Sequence, residues 1–268
     1  GASLAEEMDA EFCGVVNRHF PDGERYIRVL MDVNEQDVVV VQNTFPDKKI
    51  VELLLILQAV KEAGAKTVTC VIPYMGYSRQ ERIFQSGEAR SAKAIASVIG
   101  GMCDRVFTIN VHTPEILKFF GCEANDINGS REVVRYLKGF GPDMVIAPDE
   151  GSRDRCTLAA DLLKVPVHVM KKVRIDGRTV ETSSGQINVK GSTAVILDDI
   201  ISTGGTIATA ANILREGGAE RVFAACTHGL FIEDAANRLR VCDDILSSDT
   251  LEGVYTRFSV APAIADAL

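Results

Sequence analysis

Six short, mostly apolar runs punctuate the chain, at Val38–Val41, Val68–Ile72, Val106–Val111, Met144–Ala147, Ala194–Leu197 and Val222–Cys226. Runs of this length without strict polar alternation read as strands covered on both faces, the condition of a parallel sheet. Between them, Val51–Ala63, Ser91–Ile99, Thr157–Leu163 and Thr206–Glu216 carry apolar residues at helical spacing, several opened by Ser or Thr and closed by Gly. Strands and helices in alternation predict an α/β protein of doubly wound type.

The alternation also repeats. Lys61–Val68 (KEAGAKTV) and Arg215–Val222 (REGGAERV) align without a gap at an offset of 154, the step from 61 to 215. The same offset lays Glu52–Val60 on Thr206–Leu214 and the end of Val38–Val41 on the strand containing Val195. A duplicated α/β domain accounts for this, although any strand, helix, glycine and strand in succession would match in part. Two domains also suit 268 residues. The boundary is expected near Ser130–Tyr136, after Asn128 and Gly129, dividing the chain into residues 1–131 and 132–268.

Charge narrows the partners. With 29 basic against 37 acidic residues and a net charge of -8, the chain has no global field to attract nucleic acid or an anionic membrane. No apolar run approaches the roughly 20 residues needed to span a bilayer. Any polyanionic substrate must be captured locally. The seven cysteines include no CxxC pair, which suits a reducing compartment and core packing, not a disulfide framework or zinc knuckle. Together with a start at Gly1 that lacks a basic and apolar targeting region, this predicts a cytoplasmic location.

The two copies differ where chemistry is expected. The second has Asp198–Thr206 (DDIISTGGT) where the first has Thr44–Glu52 (TFPDKKIVE). In the second, an apolar strand ends in two carboxylates followed by small residues running into a helix. Glycines let backbone N–H groups approach an anion, Thr203 and Thr206 add hydroxyls, and the helix N-terminus adds partial positive charge. Asp198 and Asp199 are suited to accept from sugar hydroxyls or to sit near a metal. A plain helix cap with solvated aspartates is the bland alternative.

This segment resembles the 5-phosphoribosyl-1-pyrophosphate (PRPP) loop of type I phosphoribosyltransferases and of ribose-phosphate pyrophosphokinases. The latter carry two copies of the fold and keep the loop only in the second, which favours them here. Further stretches are similar to that family over nearly the whole chain. Phe20–Arg25 (FPDGER) resembles its nucleotide loop, and Pro73–Arg82 (PYMGYSRQER) its ATP-binding Arg-Gln pair, here Arg79 and Gln80. Val111–Glu115 (VHTPE) resembles the segment of the magnesium-associated histidine, here His112. Ala147–Arg155 (APDEGSRDR) resembles the segment whose aspartate, here Asp149, serves magnesium and ribose 5-phosphate. Lys172–Arg174 (KVR) matches the Lys-x-Arg of its flexible catalytic loop.

The resemblance implies two tandem type I phosphoribosyltransferase-like domains, each a mainly parallel sheet flanked by helices. It implies transfer of pyrophosphate from MgATP to ribose 5-phosphate, giving PRPP and AMP, with Mg²⁺ as cofactor. Phe20, Asp22, Glu24, Arg79, Gln80 and His112 would meet ATP, the first three in a neighbouring subunit, so that a homo-oligomer is implied. Asp149, Asp198, Asp199, Ser202, Thr203, Gly204, Gly205 and Thr206 would hold ribose 5-phosphate; His112 and Asp149 would meet the metal; Lys172 and Arg174 would be catalytic. From the residues alone, the alternatives are Pro21–Gly23 as a turn between strands, His112 as a core histidine, Asp149 as an N-cap and Lys171–Gly191 as a solvated hairpin rather than a basic lid. A phosphoribosyltransferase that consumes PRPP and a non-catalytic nucleotide-binding paralogue are the competing functions; Arg79–Gln80 speaks against the first, and Lys172, Arg174, His112 and Asp149 against the second.

The departures from the family pattern are local. Ser202 stands where many members have aspartate, Gly204–Gly205 is closer to short archaeal members, and the chain enters a helix-like Leu4–Met8 where the family opens with a strand.

Overall fold

The structure, a computed structural model, describes residues 1–174, 180–183 and 188–268, with residues 171–174 and 180–183 described by backbone alone. Two compact units make up the chain: Gly1–Asn128 with Ala261–Leu268, and Gly129–Val260. The sequence reading assigns the last eight of these residues to the second domain. They pack instead in the first unit, where helix α8 (Ala261–Ala265) meets helix α1 (Ala2–Glu7), burying Leu4 and Ile264.

In the first unit, β1 (Val15–His19) and β2 (Arg25–Val29) form an antiparallel hairpin. A four-stranded sheet follows in the order β3 (Asp37–Val41), β4 (Thr67–Ile72), β5 (Arg105–Ile109), β6 (Glu123–Ile127), with every neighbouring pair parallel. Helices α2 (Lys48–Glu62) and α3 (Ser91–Gly100) supply Leu53, Leu57, Val60, Ala96 and Ile99 to a core shared with Val68, Cys70, Ile72 and Val106. Burying such side chains is worth about 1.5–3 kcal/mol each. The expectation of strands covered on both faces holds for β4 and β5 and fails for β3, an edge strand whose Val39 is exposed.

The second unit adds α4 (Ser130–Leu137), β7 (Met144–Ala147), α5 (Arg153–Leu163) and β8 (Val167–Val169) before the repeat begins again. Its six-stranded sheet has the order β14 (Thr256–Phe258), β13 (Asp244–Ser248), β12 (Arg221–Gly229), β11 (Thr193–Ile201), β7, β8, all pairs parallel. Helix α6 (Gly205–Glu216) joins β11 to β12, and the short α7 (Ala235–Arg238) follows β12. Backbone pairing between β9 (Lys171–Arg174) and β10 (Val180–Ser183) makes a separate antiparallel ribbon.

The duplication is visible element by element. Shifted by the offset of 154, β3, α2 and β4 fall on β11, α6 and β12. The order β3-β4-β5-β6 then repeats as β11-β12-β13-β14. The offset is lost after β4, because a long loop separates β4 from α3 whereas β12 is followed closely by α7. That loop carries Arg79 and Gln80.

Candidate active site

Open parallel sheets present ligands at the carboxyl ends of their strands, and Asp149, Asp198, Asp199 and the loop that follows them fall there. In the second unit β11 runs out through Asp198 and Asp199 into Ile201, after which Ser202, Thr203 and Gly204 lead into α6. Gly204 has φ +75°, and a Cβ there would meet Leu239 Cγ at 3.0 Å, so that only glycine fits without strain. The carbonyls of the loop are held from behind: Ile232 donates its N–H to Ser202 O at 3.2 Å and Arg238 its guanidinium to Thr203 O at 3.0 Å. The first N–H groups of α6 have no acceptor within the helix, so they face forward as anion donors beside the exposed Thr206.

The acid pair is internally organised. Arg155, on the first turn of α5, forks onto both carboxylates, to Asp198 Oδ1 at 3.1 Å and Asp199 Oδ2 at 3.2 Å. Ser152, buried at the end of the turn Glu150–Ser152, donates its hydroxyl to Asp198 Oδ1 at 2.6 Å and lies 3.3 Å from Asp149 Oδ1. Burial, reinforced by the neighbouring Asp199, pushes the Asp198 carboxyl up to about 7. Ser152 thus engages Asp198 through its hydroxyl, and α5 opens at Arg153 after the 3₁₀ turn that follows Asp149. Sequence reasoning missed Arg155 as a site residue, because its partner Asp198 lies more than forty positions away.

In the first unit Arg79 and Gln80 line a cavity of about 300 Å³, with Phe45, Asp47, Tyr74, Gly76, Tyr77 and Ser78. This is where the first copy's counterpart of the phosphate loop sits, and the chain has closed it on itself. Gly76 donates its N–H to Thr44 Oγ1 at 2.7 Å and Tyr77 its hydroxyl to Asp47 Oδ1 at 2.6 Å. A Cβ on Gly76 would lie 2.9 Å from Thr44 O, which explains the glycine. The aromatic lining had no counterpart in the sequence reading.

Phe20, Asp22 and Glu24 form the exposed tip of the β1–β2 hairpin. Glu24 donates its N–H to Asp22 Oδ1 at 3.0 Å, and Gly23 its N–H to Phe20 O at 2.9 Å, so the turn expected at Pro21–Gly23 is present. The Phe20 ring meets Tyr26 edge-on at 5.6 Å. His112 is exposed just beyond β5, which ends at Ile109, two residues before the expected end at Val111. Asn110 turns the chain with φ +44°, and Val111 donates its N–H to Asp126 Oδ1 at 2.9 Å. The side chains of Lys172 and Arg174 lie outside the described residues, as does the lid expected between Lys171 and Gly191 except for the β9–β10 backbone and residues 188–191.

Comparison with known proteins follows this geometry. Residues 1–102 match the model for the N-terminal domain of ribose phosphate pyrophosphokinase, and residues 128–260 that for the phosphoribosyl transferase domain. A ribose-phosphate pyrophosphokinase of Methanopyrus kandleri is 39% identical over 275 residues, covering 100% of this chain and 94% of the relative. The chain belongs to the ribose-phosphate pyrophosphokinase family. A second archaeal ribose-phosphate pyrophosphokinase, from Methanothermobacter thermautotrophicus, is 39% identical over 272 residues, 100% of this chain and 95% of that one. The crystal structure of phosphoribosylpyrophosphate synthetase from Mycobacterium smegmatis superposes with a TM-score of 0.86 at 29% identity, over 99% of this chain and 92% of that one. The family's tandem α/β architecture, with parallel sheets flanked by helices, is thus the architecture of this chain. Among the described residues no helix is long and apolar enough to cross a membrane.

Proposed function

We propose that the chain transfers the β,γ-pyrophosphoryl group of MgATP to the C1 hydroxyl of ribose 5-phosphate, giving PRPP and AMP. The observation that carries this reading is the carboxyl edge of the second sheet, where two organised carboxylates stand directly before an anion-binding helix N-terminus. A sugar phosphate has both complementary parts: hydroxyls for Asp198 and Asp199, and a phosphate for Thr203, Gly204, Gly205 and Thr206, with Ser202 beside them. The cavity at Arg79 and Gln80, and the exposed ring of Phe20 with Asp22 and Glu24, supply the cation, acceptors and stacking surface that a purine nucleotide needs.

Phosphoryl-type transfer asks the protein chiefly for positioning and charge neutralisation. Lys172 and Arg174 bring positive charge to the transferring and leaving oxygens. Asp149, whose backbone is extended just after β7, would offer Mg²⁺ an oxygen donor, and the exposed His112 would offer it a nitrogen donor. When bound, the metal neutralises charge on the β- and γ-phosphates. The two units divide the work, the first meeting ATP and the second holding ribose 5-phosphate. The nucleotide loop of one subunit serves its neighbour in a cytoplasmic homo-oligomer.

The test is a phosphorus NMR assay with magnesium, ATP and ribose 5-phosphate, run beside Lys172→Ala and Asp149→Ala. AMP and PRPP should appear together and fall by on the order of 10²–10³ in rate in the Lys172→Ala variant, as for removal of other preorganised donors. Nucleotide binding without either product, or consumption of PRPP dependent on an added base, would overturn the proposal.

A further inference from the structure

Arg155 stands where two adjacent carboxylates must be kept side by side. Asp198 and Asp199 are consecutive on β11 with side chains 17% and 8% exposed, and like charges this close disfavour each other strongly in a poorly hydrated place. The Arg155 side chain is 21% exposed, and the planar fork of its guanidinium offers one N–H to each acid. Its reach is specific. The residue lies on α5, which follows β7, yet both partners belong to β11, so the fork ties the start of α5 to β11 at the ligand edge. Oδ1 of Asp198 also accepts from Ser152 Oγ at 2.6 Å and from the N–H of Asp199 at 2.9 Å, while Asp199 Oδ1 takes the N–H of Ile200 at 2.9 Å. Arg155 NH1 reaches Ser152 Oγ at 3.3 Å as well. Each carboxylate is thereby held in one orientation before any ligand arrives.

We infer that Arg155 is a specificity-determining positioning residue, which orients Asp198 and Asp199 to read the hydroxyls of the sugar. It does so through the acids, without itself contacting the sugar. The inference rests on the proposed binding of ribose 5-phosphate at this edge and adds to it the residue that makes the acid pair selective. A site built to pair with hydroxyls penalises an analogue that lacks one, because the acceptors are then left unpaired. Carboxylates released from the fork can turn toward water, so they should lose that selectivity more than they lose general affinity for a sugar phosphate.

Titration calorimetry of the full-length chain with ribose 5-phosphate and its 2-deoxy and 3-deoxy analogues tests this, alongside a thermal melt of each variant. Wild type should prefer ribose 5-phosphate over at least one analogue by about 10²-fold, and Arg155→Met should cut that preference about tenfold. Its affinity for ATP should change less than about threefold. Arg155→Lys, which restores the charge without the fork, should recover the preference only in part. A folded Arg155→Met that keeps the wild-type preference overturns the inference. If that variant fails to fold, Arg155→Lys decides: a preference lowered threefold or more supports the role, and an unchanged one overturns it. Wild type that binds ribose 5-phosphate but forms no AMP refutes the proposed reaction alone; wild type that does not bind it refutes both.

Discussion

Asp126 accepts the backbone N–H of Val111 at 2.9 Å, tying the residue before His112 to the neighbouring strand. The same oxygen accepts the Thr108 hydroxyl at 2.6 Å, so a single atom on β6 secures both the end of β5 and the turn that follows. Asp126→Ala should release that turn and raise KM for MgATP about tenfold, with a smaller change in kcat. Asp126→Asn, which keeps an oxygen in place, should stay close to wild type. Steady-state kinetics over a magnesium series checks both.

The elevated Asp198 carboxyl predicts a pH dependence of stability. Its folded value, about 7, lies above the ordinary aspartate value of 3.8, so the folded chain holds the proton more tightly than the unfolded one. The stabilisation is full below about pH 4 and is lost as pH rises through about 7. Asp198→Asn should flatten that slope and raise stability at pH 8 by about 1–3 kcal/mol, at the cost of sugar binding. Urea unfolding at pH 5 and pH 8 is the measurement.

Gly204→Ala places a methyl group in left-handed backbone and against Leu239. A loss of about 1–3 kcal/mol is expected, together with a raised KM for ribose 5-phosphate, because the loop and the helix N-terminus move together. Gly205, around which a Cβ finds open space, should tolerate alanine far better. Denaturant melts and kinetics of the two variants give the comparison.

If the Phe20 hairpin serves a neighbouring subunit, two inactive variants should rescue each other. Phe20→Ala and Lys172→Ala, co-expressed and allowed to assemble at random, should regain about a quarter of wild-type activity, since one site in four pairs two intact contributions. Mixing that restores nothing places both residues in the same subunit's site.

Legibility in the sequence followed locality. Strands β4, β7, β11 and β12 announce themselves because nearly every residue is apolar and covered. Asp244–Ser248 is equally buried but escapes the same test, since its serines satisfy themselves internally: Ser248 donates to Thr227 O at 2.6 Å. The hairpin strand β1 is largely open to solvent, β2 is half-buried, and neither carries a long apolar run. In the site, Asp198–Thr206 is readable because acids, glycines and helix start are contiguous. The Arg155 fork and the Tyr77–Asp47 bond join residues far apart in the chain, and no short-range pattern encodes them.

The pairing of α1 with α8 sets an order of events during synthesis. The first unit to leave the ribosome draws its closing helix from residues 261–265, which emerge only after the whole of the second unit. Chains emerge from the N-terminus at about 5–20 residues per second, so the first unit spends several seconds with Leu4 waiting for Ile264. The unit that is translated first is therefore the last to be completed.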